Sequence, residues 1–370
     1  MKKQLALFLA LTLCLGLCAC GESAPQQTQP AEQAQTPGEE QLPPVEDDGV
    51  MKILLIANSH GTDSSFMFPD VCKSQGMDNL IFGRLYHSGC KIVQHLDYAQ
   101  ANAAQYSYDE YDISKDDCWK RAYADGSWQD LVPGTATDIY IEDGTVAQTM
   151  QFGIQRHDWD MIIVQASTYE GAGVEDSYYV SKGHDWDLAN DTKKLMDYVL
   201  AQDIEPRSVP QFAWNITWAR PADPSVWRDA DKTAMDSYFG GDQNLQYSLL
   251  MKTHQEVIAP AITFDYVLPA GTAIQNLKTT KLRSDEIYRD YGHATDFGRI
   301  TVAYLWYCLL FDKDITECEI TPMNYKVVLD RFARQYQKDW ELTQEQKDIL
   351  VEAVANTIKT PFAVTESQYK

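Results

Sequence analysis

Residues 51–61 read Met-Lys-Ile-Leu-Leu-Ile-Ala-Asn-Ser-His-Gly, an apolar run that stops abruptly at Asn58-Ser59. A short unbroken apolar run closed by polar, Gly-containing sequence predicts a strand buried on both faces of a parallel sheet. Open α/β sheets bind their ligands outside the carboxyl ends of such strands. Ser59 therefore stands where nucleophilic chemistry is expected, and the rest of the chain has to supply a base.

Working outward, 160–167 is a second run of the same kind, and 208–218 and 263–269 are further strand candidates. Between them, 187–202 and 244–261 carry apolar residues three and four apart, the mark of amphipathic helices. Residues 145–155 also read as helical and lead into a turn at His157-Asp158. The alternation predicts an α/β fold with three layers, α/β/α, around a parallel sheet. Segment 106–142 departs from it: Tyr106, Tyr108, Tyr111, Trp119, Tyr123 and Trp128 lie among turn residues, and we read an inserted hairpin or loop region. An apolar pattern over 300–311 predicts a helix, and Thr343-x-x-Gln346 opens another over 343–358 as a capping box.

The amino terminus has a different character. Lys2-Lys3, an apolar run from Leu5 to Leu17 and the small Ala19 before Cys20 make residues 1–19 a signal peptide. The run is shorter than the ~20 residues of a membrane span. Leu17-Cys18-Ala19-Cys20 resembles the bacterial lipobox, which implies lipidation of Cys20 and an extracytoplasmic protein anchored to the cell membrane. Residues 20–49, rich in Gln, Pro, Glu and Ala without aromatic side chains, form a disordered tether. Residues 50–370 remain as a single domain with no internal repeat.

Lys and Arg number 31 against 54 Asp and Glu, a formal charge of −23. Such a chain repels nucleic acid, since phosphate contacts need clustered cations, and neutral substrates are the expectation. Of the eight cysteines, Cys72, Cys90, Cys118, Cys308 and Cys318 lie in the domain. None has CxxC or metal-like spacing. Cys308 with Cys318 is a candidate disulfide, and buried free thiols are the alternative. His87 and His95 flank Gly89 without forming a metal motif. No metal and no cofactor is implied, and the oligomeric state stays open.

Asp290-Tyr291-Gly292-His293 precedes the helix of 300–311. A His three residues after an Asp can carry a fixed tautomer to the sheet edge, so that Asp290 orients His293 and His293 takes the proton of Ser59. Asp285 and Asp296 compete for the orienting role, and the D-x-x-H spacing favours Asp290. Ser59 could instead cap the following helix, as Ser often does. Trp214, Trp218 and Trp227 could stack on a sugar, although large aromatics are more often packing residues.

Several ordered blocks together resemble the SGNH (GDSL-type) hydrolases, most closely their DUF4886 branch. These blocks are Asn58-Ser59, Leu85 to Cys90, Gln165-Ala166-Ser167, Pro269 to Asn276, and Asp290-x-x-His293. The resemblance implies a flavodoxin-like sheet and ester hydrolysis through an acyl-enzyme, with Ser59, His293 and Asp290 as the triad. It implies backbone N–H groups of Ser59 and Gly89 in the oxyanion hole. Ala57 and Asn58 replace the usual glycine and aspartate of the first block, and the Gly-x-Asn-Asp block is absent. Gln165 is the candidate donor in its place, and Asn58, His60 and Ser167 are candidate lining residues. The expected substrate, by analogy with the wider family, is an acyl group such as acetyl on a neutral carbohydrate. The rivals are a catalytically weak or inactive glycan-binding lipoprotein, and an acyltransferase or thioesterase using the same triad.

Overall fold

The opening run is strand β1 (Met51–Ala57), and Ile53 to Ile56 are wholly buried. Side chains alternate across a strand, so Ile53, Leu55 and Ala57 enter one core while Leu54 and Ile56 enter another on the opposite face. The computed structural model describes residues 48–116, 118–131, 147–175, 177–202, 209–320 and 342–370. The signal peptide, Cys20 and nearly all of the tether lie outside the described residues.

From β1 the chain continues through helices α1 (Ser59–Ser65) and α2 (Phe68–Ser74), strand β2 (Leu80–Tyr86), helix α3 (Ile92–Gln100) and strands β3 (Ser107–Asp112), β4 (Lys120–Ala122) and β5 (Trp128–Asp130). Next come α4 (Met150–Ile154), β6 (Met161–Val164), α5 (Thr168–Gly171), α6 (Ser177–Lys182), α7 (Leu188–Leu200), β7 (Gln211–Asn215), α8 (Asp229–Phe239) and α9 (Gln243–Thr253). The remainder is α10 (Ala259–Ala261), β8 (Tyr266–Leu268), α11 (Ala270–Leu277), α12 (Ser284–Ile287), α13 (Asp296–Leu310) and α14 (Gln344–Lys359). The sheet order is β5-β4-β3-β2-β1-β6-β7-β8. Strands β2, β1, β6, β7 and β8 run parallel, and β3, β4 and β5 join at the β2 edge antiparallel. Helices α2, α11, α13 and α14 supply one core and α3, α7, α8 and α9 the other, so the sheet is covered on both faces.

The expected strands and helices therefore form, with three differences. The 106–142 segment, over its described part, takes the hairpin alternative rather than the loop, with β4 and β5 paired antiparallel, and β3 makes it a longer meander that extends the sheet. Arg84 of β2 and Arg121 of β4 both bind the buried Asp109 of β3 at 2.7 Å, and this ion-paired cluster fixes the added strands. The same Arg84, with Gly83 beside it, interrupts the apolar pattern of β2 and hides it from a periodicity reading. The helix expected over 145–155 shortens to α4, capped by Thr149. The helix over 244–261 is regular only to Thr253 and continues as a π-helical turn over His254–Ile258. Pro260, which has no N–H to give, follows that turn.

Candidate functional site

Asn58 explains why Ser59 is available for chemistry. Its Oδ1 accepts the N–H of His60 at 3.1 Å, which makes Asn58 the cap of α1 and Ser59 the first helical residue. A capping serine spends its hydroxyl on the backbone; here Asn58 does that work. The methyl of Ala57 is accommodated by Gly61. A Cβ on Gly61 would lie 2.2 Å from that of Ala57.

Ser59 is half-buried and lines a pocket of about 330 Å³ at the carboxyl edge of the parallel strands. Its Oγ lies 2.9 Å from His293 Nε2. On the other side of the ring, His293 Nδ1 lies 2.8 Å from Asp290 Oδ2. A carboxylate can only accept, so Nδ1 carries the proton and Nε2 presents its lone pair to the hydroxyl. Asp290 also accepts the N–H groups of Gly292 and His293, at 3.0 and 2.9 Å. Burial pushes its carboxyl up, but the hydrogen bond and charge of His293 outweigh this and hold it well below the usual carboxylate range. Asp285 and Asp296, the competing acids, pair instead with Arg283 and Arg299.

The loop that carries His293 is fastened to helix α1 one turn beyond Ser59. Asp63 accepts Arg289 Nη1 at 2.9 Å, Arg299 Nη2 at 2.8 Å and the N–H of Ala294 at 2.9 Å. Trp218 Nε1 donates to the Gly292 carbonyl at 2.7 Å from the opposite side. Two elements distant in sequence thus set the separation between Ser59 and His293. Trp214, Trp218 and Trp227 are all buried, so they are packing residues and not a sugar platform.

Gly89 lines the pocket at a φ of 62°, a left-handed conformation that favours glycine. The Ser59 N–H belongs to the first turn of α1, where no intrahelical acceptor exists. These are the two backbone donors expected for an oxyanion. Gln165 is not a third. Its Nε2 donates to Asn58 Oδ1 at 3.0 Å, its Oε1 accepts from Asn215, and it is fully buried outside the pocket lining. Its side chain instead carries the amide across to the end of β1. Asn58 completes the link by donating to the Cys90 carbonyl at 3.0 Å.

Asn58, His60 and Ser167 all line the pocket. His60 Nε2 lies 3.2 Å from Thr168 Oγ1. Burial, and then the neighbouring His293, lower its pKa well below the ordinary value, so it stands there neutral. Ser167 caps α5 in a capping box with Glu170. Glu170 also accepts the N–H of Ile92 at the start of α3, at 3.0 Å, which ties the loop of Gly89 to the loop of Ser167. Asp63 and Glu170 went unrecognised in the sequence. Asp63 is four residues after Ser59, hence on the same helix face, a spacing that marks it as a neighbour. Glu170 is three after Ser167, the spacing of its capping box. Arg220 and Arg228, also lining, lie within and directly after the tryptophan-rich stretch from Trp214 to Trp227. Cys308 and Cys318 are free thiols.

A comparison with curated proteins finds no match. Among solved structures, the chain is similar to the crystal structure of a DUF4886 family protein from Bacteroides uniformis, at 22% identity and a TM-score of 0.60. That match covers 86% of this chain and 98% of the other. The family model described as a domain of unknown function, DUF4886, matches residues 140–338, a span that includes Asp290 and His293 and begins downstream of Ser59. It takes in more than half of the sequence, and the chain belongs to the DUF4886 family.

Proposed function

We propose that this chain is a serine ester hydrolase of the SGNH type, exported and held at the membrane by lipid on Cys20. The observation that carries the reading is the aligned series Ser59 Oγ, His293 and Asp290, with contacts of 2.9 and 2.8 Å on the two ring nitrogens. The parallel strands, numbered among themselves, follow the order 2-1-3-4-5 of flavodoxin-like sheets, with Ser59 beside the point where that order reverses.

In this reading His293 Nε2 takes the proton of Ser59 as Oγ attacks the ester carbonyl. Asp290 balances the imidazolium, and the carbonyl oxygen gathers charge against the N–H groups of Ser59 and Gly89. Collapse expels the alcohol, which leaves with the proton from His293, and the acyl group stays on Ser59. Water repeats the sequence and releases the acid. An acyl group such as acetyl on a carbohydrate is the substrate we favour. Without a side-chain donor such a hole forgoes about 3–4 kcal/mol of transition-state stabilisation, so turnover is slow.

One observation favours a second reading, a glycan-binding protein on the same fold: the Gln165 amide faces Asn58 rather than the pocket. Hydrolysis of p-nitrophenyl acetate by the full chain, beside Ser59→Ala and His293→Ala, decides between them. The hydrolase reading expects turnover in the wild type that both variants lose. Equal rates in wild type and Ser59→Ala would contradict it.

A further inference from the structure

The chain is strongly acidic, yet the walls of its pocket are not. Lys91, Arg220, Arg228 and Arg289 line it against Asp63, Asp231 and Asp290, whereas the whole sequence carries 54 acidic side chains to 31 basic ones. The three carboxylates are all engaged. Arg289 and Arg299 hold Asp63, His293 holds Asp290, and Asp231 is shared by Arg220 at 3.1 Å and Arg228 at 2.6 Å. The balance inside the pocket therefore favours an anion.

Two arginines give that balance a direction. Arg220 is 5% exposed, with its guanidinium 5.3 and 5.1 Å from the centres of the Tyr169 and Tyr291 rings and its Nε buried and without a hydrogen-bond partner. The Tyr169 hydroxyl is likewise buried without a partner, and Tyr169 lines the pocket. Arg228 is 46% exposed at its side chain, and its guanidinium lies 3.6 Å from the centre of the Tyr291 ring. Its Nε and Nη2 bind Asp231. Guanidinium has five N–H donors in a planar fork, so donors remain for a ligand.

The ring under Arg228 also locates it relative to the chemistry. Tyr291 packs edge-on to His293 with centroids 5.4 Å apart. His293 returns the proton to the departing alcohol, so the His293 side of the pocket is the alcohol side. We propose that the alcohol half of the ester carries a carboxylate, as an acylated uronic acid does, and that Arg228 is the residue that binds it. Which half of the ester is assigned rests on the hydrolase reading; the preference for an anion does not. The net charge of the chain argues for neutral substrates only at long range, where salt screens it within about 8 Å. Inside the pocket the local charges decide.

Calorimetric titration of the full-length Ser59→Ala chain, which cannot turn over, with 4-acetoxybenzoate and with its neutral methyl ester tests this. The acid should bind about tenfold more tightly, the order expected of one charge-assisted hydrogen bond. The margin should vanish in Ser59→Ala/Arg228→Gln and return in part in Ser59→Ala/Arg228→Lys. Equal affinity for the two esters, or a margin that survives Arg228→Gln, would overturn the proposal. Assay of the wild type with p-nitrophenyl acetate keeps the two readings apart. Preference for the acid without any hydrolysis would end the hydrolase reading and leave the anion site; hydrolysis without the preference would end the anion site alone.

Discussion

Asn58 Oδ1 accepts a hydrogen bond from Gln165 Nε2 at 3.0 Å, and this contact joins the carboxyl ends of β1 and β6 beneath the pocket. Gln165 in turn accepts from Asn215 at the end of β7, which donates to Ser64 Oγ at 3.1 Å. The amides form a buried brace across three strand ends. Such a brace holds the cap of α1, and with it the position of Ser59, without touching a substrate. Replacing Gln165 by Met should cost about 1–3 kcal/mol of stability, as for a broken buried hydrogen bond. It should lower kcat by less than about tenfold, whereas loss of an oxyanion donor costs about 10²–10³. Denaturant titration and p-nitrophenyl acetate kinetics on the same variant separate the two roles.

Asp63 makes a second prediction. Burial raises its carboxyl, but Arg289 and Arg299 pull harder and bring it to about 2. An unfolded aspartate titrates near 3.9, so the folded value is depressed. The stabilisation is present above roughly pH 4 and is lost as pH falls toward 2. Asp63→Asn leaves two buried guanidinium groups without their carboxylate and should cost about 3–5 kcal/mol at neutral pH. Stability measured between pH 2 and 6 should show a shallower acid slope in the variant; an unchanged slope would rule out the ion pair as its source.

Glu170 has the opposite sign. Burial raises it to about 7, against hydrogen bonds from Tyr179 and the N–H groups of Ile92 and Ser167. Its folded value lies above the unfolded one, so its contribution is present below about pH 4.5 and is lost as pH rises through 7. The effect is at most about 3.5 kcal/mol, at about 1.4 kcal/mol per pKa unit. Asp70, also raised to about 7 by burial against its bond from Tyr111, adds to the same slope. Glu170→Gln should therefore reduce, without abolishing, the fall in stability between pH 4.5 and 7. Urea midpoints at both ends of that range check it.

The layered architecture was legible because a strand buried on both faces leaves an unbroken apolar run, as in 51–57, and an amphipathic helix leaves a periodic one, as in 188–200. Ser59, Asp290 and His293 were legible because each stands at a strand end or in a short fixed spacing. What escaped is interaction between distant residues. Strand β2 hides behind Arg84, whose burial makes sense only once Asp109 is opposite it. The partner of Gln165 is 107 residues away, so nothing local indicates whether its amide faces the pocket or the sheet. The charge inside the pocket is invisible in the total, since Arg220 and Arg228 of one loop meet Lys91 and Arg289 from two others.

The proposed hydrolysis requires that His293, 2.9 Å away, activate Ser59 as a nucleophile. Exposure of the full chain to a fluorophosphonate, read by intact mass and by the mass of the labelled peptide, tests it directly. A single adduct on Ser59 is expected, formed more slowly by about a hundredfold or more in His293→Ala, the range for loss of a general base. An unlabelled wild type, an adduct on another residue, or equal rates in the two proteins would contradict it.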